Sequence, residues 1–162
     1  MNRATPSTTS RYEALLQLLR TADVIWNASR LFFQEWDLSP SQFNVLSLLE
    51  SNPDGLSQSD LGRQLITHRS NVTGLIDRLE KRGLVKRKEA DGDRRAYRVV
   101  LTKPGGDLLK QILPQYYKKA DHVWGLVSGD KIADFLSAFD RVARNAVEMS
   151  KELPRKQRGG ST

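Results

Sequence analysis

Between Thr67 and Lys103 the periodicity of the chain changes, and this change constrains the fold more than any other feature. Val72, Leu75, Ile76 and Leu79 recur at helical spacing, so the segment opening at Thr67 predicts a short amphipathic helix with one buried face. It closes at Arg82-Gly83-Leu84-Val85, where Gly83 stands at the position a left-handed C-cap requires. Two alternating stretches follow, 86–89 and 96–101, around a turn of Ala90-Asp91-Gly92-Asp93-Arg94-Arg95. Helix followed directly by basic hairpin is how a winged helix presents itself to DNA.

On a helical wheel Ser70, Thr73, Gly74, Asp77 and Lys81 fall opposite the apolar stripe, with Arg69, Asn71 and Arg78 on its flanks and Thr67 and His68 in the opening turn. Small polar side chains and arginines suit base edges and phosphates, and Gly74 would let a backbone approach closely. Ser70, Asn71 and Thr73 are therefore the candidates for major-groove reading, with Arg69 and Arg78 near the phosphates. An ordinary exposed helix face has the same composition; the hairpin behind it is what favours DNA. Arg94 and Arg95 at the turn could enter a narrow minor groove, where negative potential is enhanced. Asp93 could orient one of them, or form only a solvated salt bridge in the turn.

Upstream, Ser39-Pro40 with Gln42 predicts a capped helix start, and Phe43, Val45, Leu46, Leu48 and Leu49 supply its buried side. Asn52-Pro53-Asp54-Gly55 ends it in a turn, and Ser57 with Asp60 predicts a second capping box. Three short helices and a hairpin spell a helix-turn-helix with a wing, so the fold expected is mainly α with a small β-wing. At the two ends lie longer helical stretches. Residues 11–35 have apolar residues on two sides, Leu15, Leu19, Ala22, Trp26 and Phe33 on one and Leu18, Ile25, Ala28 and Phe32 on the other. Such a helix is usually held between two partners. Thr102 is a candidate N-cap for another, which Pro114 should kink or divide, and a last helix carries Ile132, Phe135, Leu136, Phe139 and Val142. These stripes lie outside a compact winged helix, and an intertwined homodimer would bury them. The expected organisation is a disordered 1–9, a dimerisation region of 10–36 and 103–153, a DNA-binding domain of 37–102 and a flexible basic tail of 154–162.

Charge supports this division. Residues 56–103 hold 12 basic and 6 acidic side chains, whereas 1–55 hold 4 and 6. A positive excess on the helix and hairpin is the footprint of a nucleic-acid binder, although a solvated basic face would have the same count. Absence of cysteine removes disulfides and Cys-ligated zinc, and two histidines are too few for a dedicated transition-metal site, so no cofactor is expected. No nucleophile–base pair or Gly-rich phosphate loop suggests an enzyme. No apolar run approaches membrane-spanning length and the N-terminus lacks a signal peptide's apolar core, so a cytoplasmic protein without a membrane partner is expected.

The residues resemble the multiple antibiotic resistance regulator (MarR) family of bacterial transcription factors over roughly 11–152. The resemblance is carried by Asp93-x-Arg95-x5-Leu101-Thr102, by Leu79-Glu80-Lys81-Arg82-Gly83-Leu84-Val85 before it, and by LSPSQFNVLSLL and LSQSDLGRQL, all in the family's order. It implies a homodimer joined through the terminal helices, a pseudo-palindromic double-stranded operator, Arg95 in the minor groove and Asp93 holding it. It also implies a repressor released by a small aromatic or phenolic anion. Trp26, Arg30, Phe33 and Phe43 are the candidate ligand residues, since Arg30 falls one turn after Trp26 and could meet an anion beside an aromatic wall. Alternatively the Arg30 stem packs on the dimer interface while its head finds an acidic partner or water. The alternative function is an architectural DNA-binding protein or an activator with no effector.

Overall fold

Three serines and a threonine set where helices begin. The computed structural model describes residues 10–65, 72–90 and 93–152, and of residues 90 and 93–96 the backbone alone. Ser10 and Glu13 form a reciprocal capping box at the start of α1 (Arg11–Phe33), and Ser39 and Gln42 form another at α2 (Pro40–Glu50). Each satisfies two backbone donors that a helix start leaves orphaned. Ser57 caps α3 (Gln58–Gln64) by accepting from Asp60 N–H at 3.1 Å, but the box expected there is half formed. The Asp60 carboxylate accepts from the Ser57 hydroxyl and from Arg63 instead of reaching back to backbone.

Helix ends are equally local. Gly83, at φ +70°, follows α4 (Val72–Lys81), and the Leu84 N–H donates to the Leu79 carbonyl at 3.0 Å, closing a Schellman motif. Asp37, at φ 51°, does the same work after a 3-10 turn (Gln34–Trp36), with Leu38 N–H donating to the Phe33 carbonyl. The left-handed conformation at a residue other than glycine was not foreseeable from its neighbours.

The hairpin is longer than its alternation predicts: β2 is Val85–Ala90 and β3 is Asp93–Leu101. They pair antiparallel from Val85↔Leu101 to Glu89↔Tyr97, with an irregularity before Ala90↔Asp93. A third strand, β1 (Leu56–Ser57), pairs on the other side of β3 and completes a sheet of order β1-β3-β2. The fold is thus mainly helical with a small β-wing, as expected.

The chain divides into two compact units, 1–114 and 115–162, and the division falls inside α5 (Lys103–Trp124). Pro114 lies within α5 without dividing it. In the first unit Val72, Leu75, Ile76 and Leu79 of α4 are buried together with Val45, Leu46 and Leu49 of α2 and Leu61 of α3. Burial of each such side chain contributes about 1.5–3 kcal/mol against the entropy of ordering it. The start of α5 joins this core through Leu109 and Ile112. It is fastened there as well: Thr102 N–H donates to the Leu84 carbonyl, the Thr102 hydroxyl donates to the Gly83 carbonyl at 2.6 Å, and Gly105 lies so close that a Cβ would run into the Leu84 carbonyl oxygen. α1 differs, because Tyr12, Leu15, Leu19, Ile25 and Leu31 remain exposed.

The second unit holds the rest of α5 and α6 (Gly129–Glu152). Trp124 stacks on Phe135 and Phe135 on Phe139, each at 6.1 Å, while Phe135, Leu136, Phe139, Val142 and Val147 stay exposed. No described helix is long and apolar enough to cross a membrane.

Candidate nucleic-acid interface

α4 presents its outer face because its inner one is fully used. With Val72, Leu75, Ile76 and Leu79 buried, Thr73, Asp77, Arg78 and Lys81 are left exposed. Of the residues expected to meet DNA, Thr67, His68, Arg69, Ser70 and Asn71 lie outside the described residues. Asp93, Arg94 and Arg95 have a described backbone, which opens β3 at the free end of the hairpin, whereas their side chains lie outside the description.

Thr73 is not free to turn. Its hydroxyl accepts a hydrogen bond from the Gln58 side-chain amide, so the first residue of α3 sets the rotamer of a residue expected to read bases. Nothing in the sequence marks Gln58. A glutamine at a helix start is unremarkable locally, and only the packing of α3 against α4 brings it to Thr73.

The described basic side chains of this region divide into two classes. Arg63 pairs with Asp60. Arg82 donates to the carbonyls of Trp36 and Asp37, tying the end of α4 to the joint between α1 and α2. Arg87 pairs with Asp77 and Glu80, and Arg98 donates to the carbonyls of Asp54 at 2.9 Å and Gly55 at 2.5 Å. Arg78, Lys81, Lys86 and Lys88, by contrast, have no ion-pair partner among the described residues, and each is exposed. The second class is what a phosphate backbone could recruit without breaking existing bonds. Two pKa values reflect the first class. The Ser57 hydroxyl, followed by Arg63, lowers that of the Asp60 carboxyl, and the hydrogen bond to Asp77, with Glu80 beside it, raises that of Arg87.

Around the candidate ligand residues the aromatic rings are occupied with one another. Phe33 stacks on Phe43 with centroids 4.3 Å apart, and both are buried; Phe32 leans on Trp36 at 5.0 Å. Trp26 is half-buried and Arg30 exposed on α1. On α2, Asn44 Nδ2 and Ser47 Oγ are buried without a hydrogen-bond partner among the described residues, which the sequence did not signal. The described residues contain no group of three or more side chains able to hold a metal ion.

Comparison with known proteins agrees with this architecture. A model of the MarR family matches residues 36–96. The HTH-type transcriptional regulator YfiV of Bacillus subtilis (strain 168) is 35% identical over 118 residues, which cover 69% of this chain and 73% of YfiV. The transcriptional repressor MprA of Escherichia coli (strain K12) is 34% identical over 92 residues, 56% of this chain, and the chain spans about half of MprA, 52% of its length. Among solved structures, the transcriptional repressor CouR bound to a 23-mer DNA duplex superimposes with a TM-score of 0.72 at 26% identity, over 88% of this chain and 99% of CouR. With its capped helices followed by a wing, and with this similarity to YfiV, this chain belongs to the MarR family.

Proposed function

We propose that the chain is a DNA-binding transcriptional regulator that acts as a homodimer on a pseudo-palindromic operator. The observation that carries this reading is the outer face of α4. Its apolar side is consumed by the core, its polar side is exposed, and among the described residues the basic groups on and beside it without an ion-pair partner are Arg78, Lys81, Lys86 and Lys88. In this reading α4 and the residues before it enter the major groove, Thr73 reads a base edge, Arg95 enters the minor groove and Asp93 positions it. Similarity to MprA and to DNA-bound CouR supports repression as the outcome.

The exposed stripes of α1 and α6 support dimerisation, since a second copy would bury the leucines and phenylalanines that one chain leaves in water. An effector, a small aromatic or phenolic anion, would act by favouring a dimer whose two recognition helices no longer match successive major grooves. Trp26, Arg30, Phe33 and Phe43 are the residues assigned to it, and the unsatisfied Asn44 amide and Ser47 hydroxyl are polar atoms that a ligand or water would complete. The mutual stacking of Phe33 and Phe43 favours a second reading, a regulator or architectural protein without an effector. Loss of duplex binding on adding an aromatic carboxylate separates the two.

Replacement of Arg95 by Ala should weaken binding to a duplex selected by the native chain about tenfold, the loss of one groove contact, with the melting temperature unchanged. Affinity should also fall steeply with salt as counterions are displaced. A titration in which Arg95→Ala binds like the native chain refutes the wing assignment.

A further inference from the structure

The outer part of the wing has little to hold it. In β2 and β3 the buried side chains among those described are Val85 and Val99, both near the base of the hairpin. Among the described side chains of β2 beyond Val85, the one bonded to another element is Arg87. Its Nη2 donates to Asp77 Oδ1 at 2.5 Å, its Nη1 donates to Glu80 Oε2, and its backbone N–H donates to Glu80 Oε1 at 2.9 Å. Asp77 and Glu80 stand three apart on α4 and so face the same way. One strand residue therefore holds the helix by three bonds, two from its side chain and one from its backbone.

We propose that Arg87 is a positioning residue for DNA binding, fixing the angle between wing and recognition helix so that Arg95 and α4 reach one duplex together. The proposal rests on the DNA-binding reading above. Its asymmetry follows from burial: α4 keeps its place through four buried side chains, whereas no described side chain of β2 beyond Val85 is buried. Replacing the Arg87 side chain removes both guanidinium bonds and leaves only the backbone N–H bond to Glu80, so the wing loosens while the helix stays. On the far side of the sheet Arg98 fixes β3 to the turn at Asp54 and Gly55, but this bond lies on the β1 side and cannot set the distance to α4.

A guanidinium is the group the geometry needs. Its planar fork spans two carboxylates, which a lysine ammonium of one point charge cannot do in the same orientation. Because these ion pairs are only partly buried, their effect on overall stability is small and their effect on direction is the larger one. The charge is also committed to Asp77 and Glu80, so Arg87 is not counted as a phosphate contact. Asp77 in turn would present an unpaired carboxylate beside a polyanion if Arg87 were absent.

The test uses the full chain carrying Arg87→Gln or Arg87→Lys, each with and without Arg95→Ala, titrated against a duplex selected by the native chain from a randomised pool. Backbone amide exchange of the free proteins is measured alongside. Arg87→Gln should weaken binding about as much as Arg95→Ala, roughly tenfold. The double variant should bind no worse than Arg95→Ala alone, because the wing contact is already lost. Amides at 86–89 and 97–100 should exchange faster in Arg87→Gln while those of 75–81 stay protected, and Arg87→Lys should fall between. Losses that multiply in the double variant would mean an independent contact and overturn the proposal, as would unchanged exchange in the wing or deprotection of α4 with it. Native-like binding by Arg87→Gln beside a weakened Arg95→Ala overturns it while leaving the DNA-binding reading intact. A native chain that selects no duplex removes that reading and the proposal together.

Discussion

Leu75, Ile76 and Leu79 of α4 and Phe135, Phe139 and Val142 of α6 recur at the same kind of helical spacing, yet the first set is at most 2% exposed and the second is 39–43% exposed. Around α4 the cover is supplied nearby in the chain, by α2, α3 and the base of the wing. The α6 stripe meets Trp124 and its own neighbours in its unit and stays open to water. An apolar stripe therefore states that a helix has a partner and is silent on where the partner resides. For α4 the partner is internal. For α6, and for the exposed side of α1, a second copy is the cover we propose.

The largest effect is expected in the core. Leu79→Ala should cost about 2–5 kcal/mol in urea unfolding, because it leaves a cavity among fully buried neighbours, and the loss should not vary with protein concentration. A cost under about 1 kcal/mol would mean that the α4 stripe is no better packed than that of α6. The next effect belongs to association. If a second chain covers α6, the melting temperature of the native protein rises with its concentration. Phe139→Asp should abolish that rise and halve the mass seen by sedimentation; equal masses for variant and native chain would remove the proposed cover.

The smallest effect lies at the surface of the first unit. Asp60 has a lowered pKa through the Ser57 hydroxyl first and Arg63 second. A carboxyl depressed in the folded state stabilises it above the ordinary aspartate pKa, and this contribution is lost as pH falls through the folded value. The melting-temperature gap between native protein and Asp60→Asn should thus be largest near neutral pH and close in acid. A gap that widens in acid would contradict the sign.

What could be read from sequence was whatever a few adjacent residues decide. The α4 stripe, the Gly83 stop, the Ser39 box and the Thr102 cap all depend on neighbours within about one turn, and each is found in the structure. β1 was hidden because its two residues overlap the Ser57 cap and it exists only by pairing with β3. The arginines show the same limit in the interface. A count of charge treats Arg78 and Arg82 alike, but Arg82 is claimed by carbonyls at Trp36 and Asp37, more than forty positions away, and Arg78 is not. The basic excess of 56–103 therefore overstates what a polyanion would meet. Gln58 and Thr73 were brought together by helix packing that no local pattern announces, and Phe33 and Phe43 closed on each other for the same reason.

The joint where β3 hands over to α5 has a mechanical meaning. Thr102 is bonded to both Gly83 and Leu84, and Gly105 sits against Leu84 with no space for a single added carbon. Such a seam has no slack. The first turn of α5 cannot creep toward the end of α4 by fractions of an ångström, so the two either travel as one lever or separate by breaking the Thr102 bonds outright.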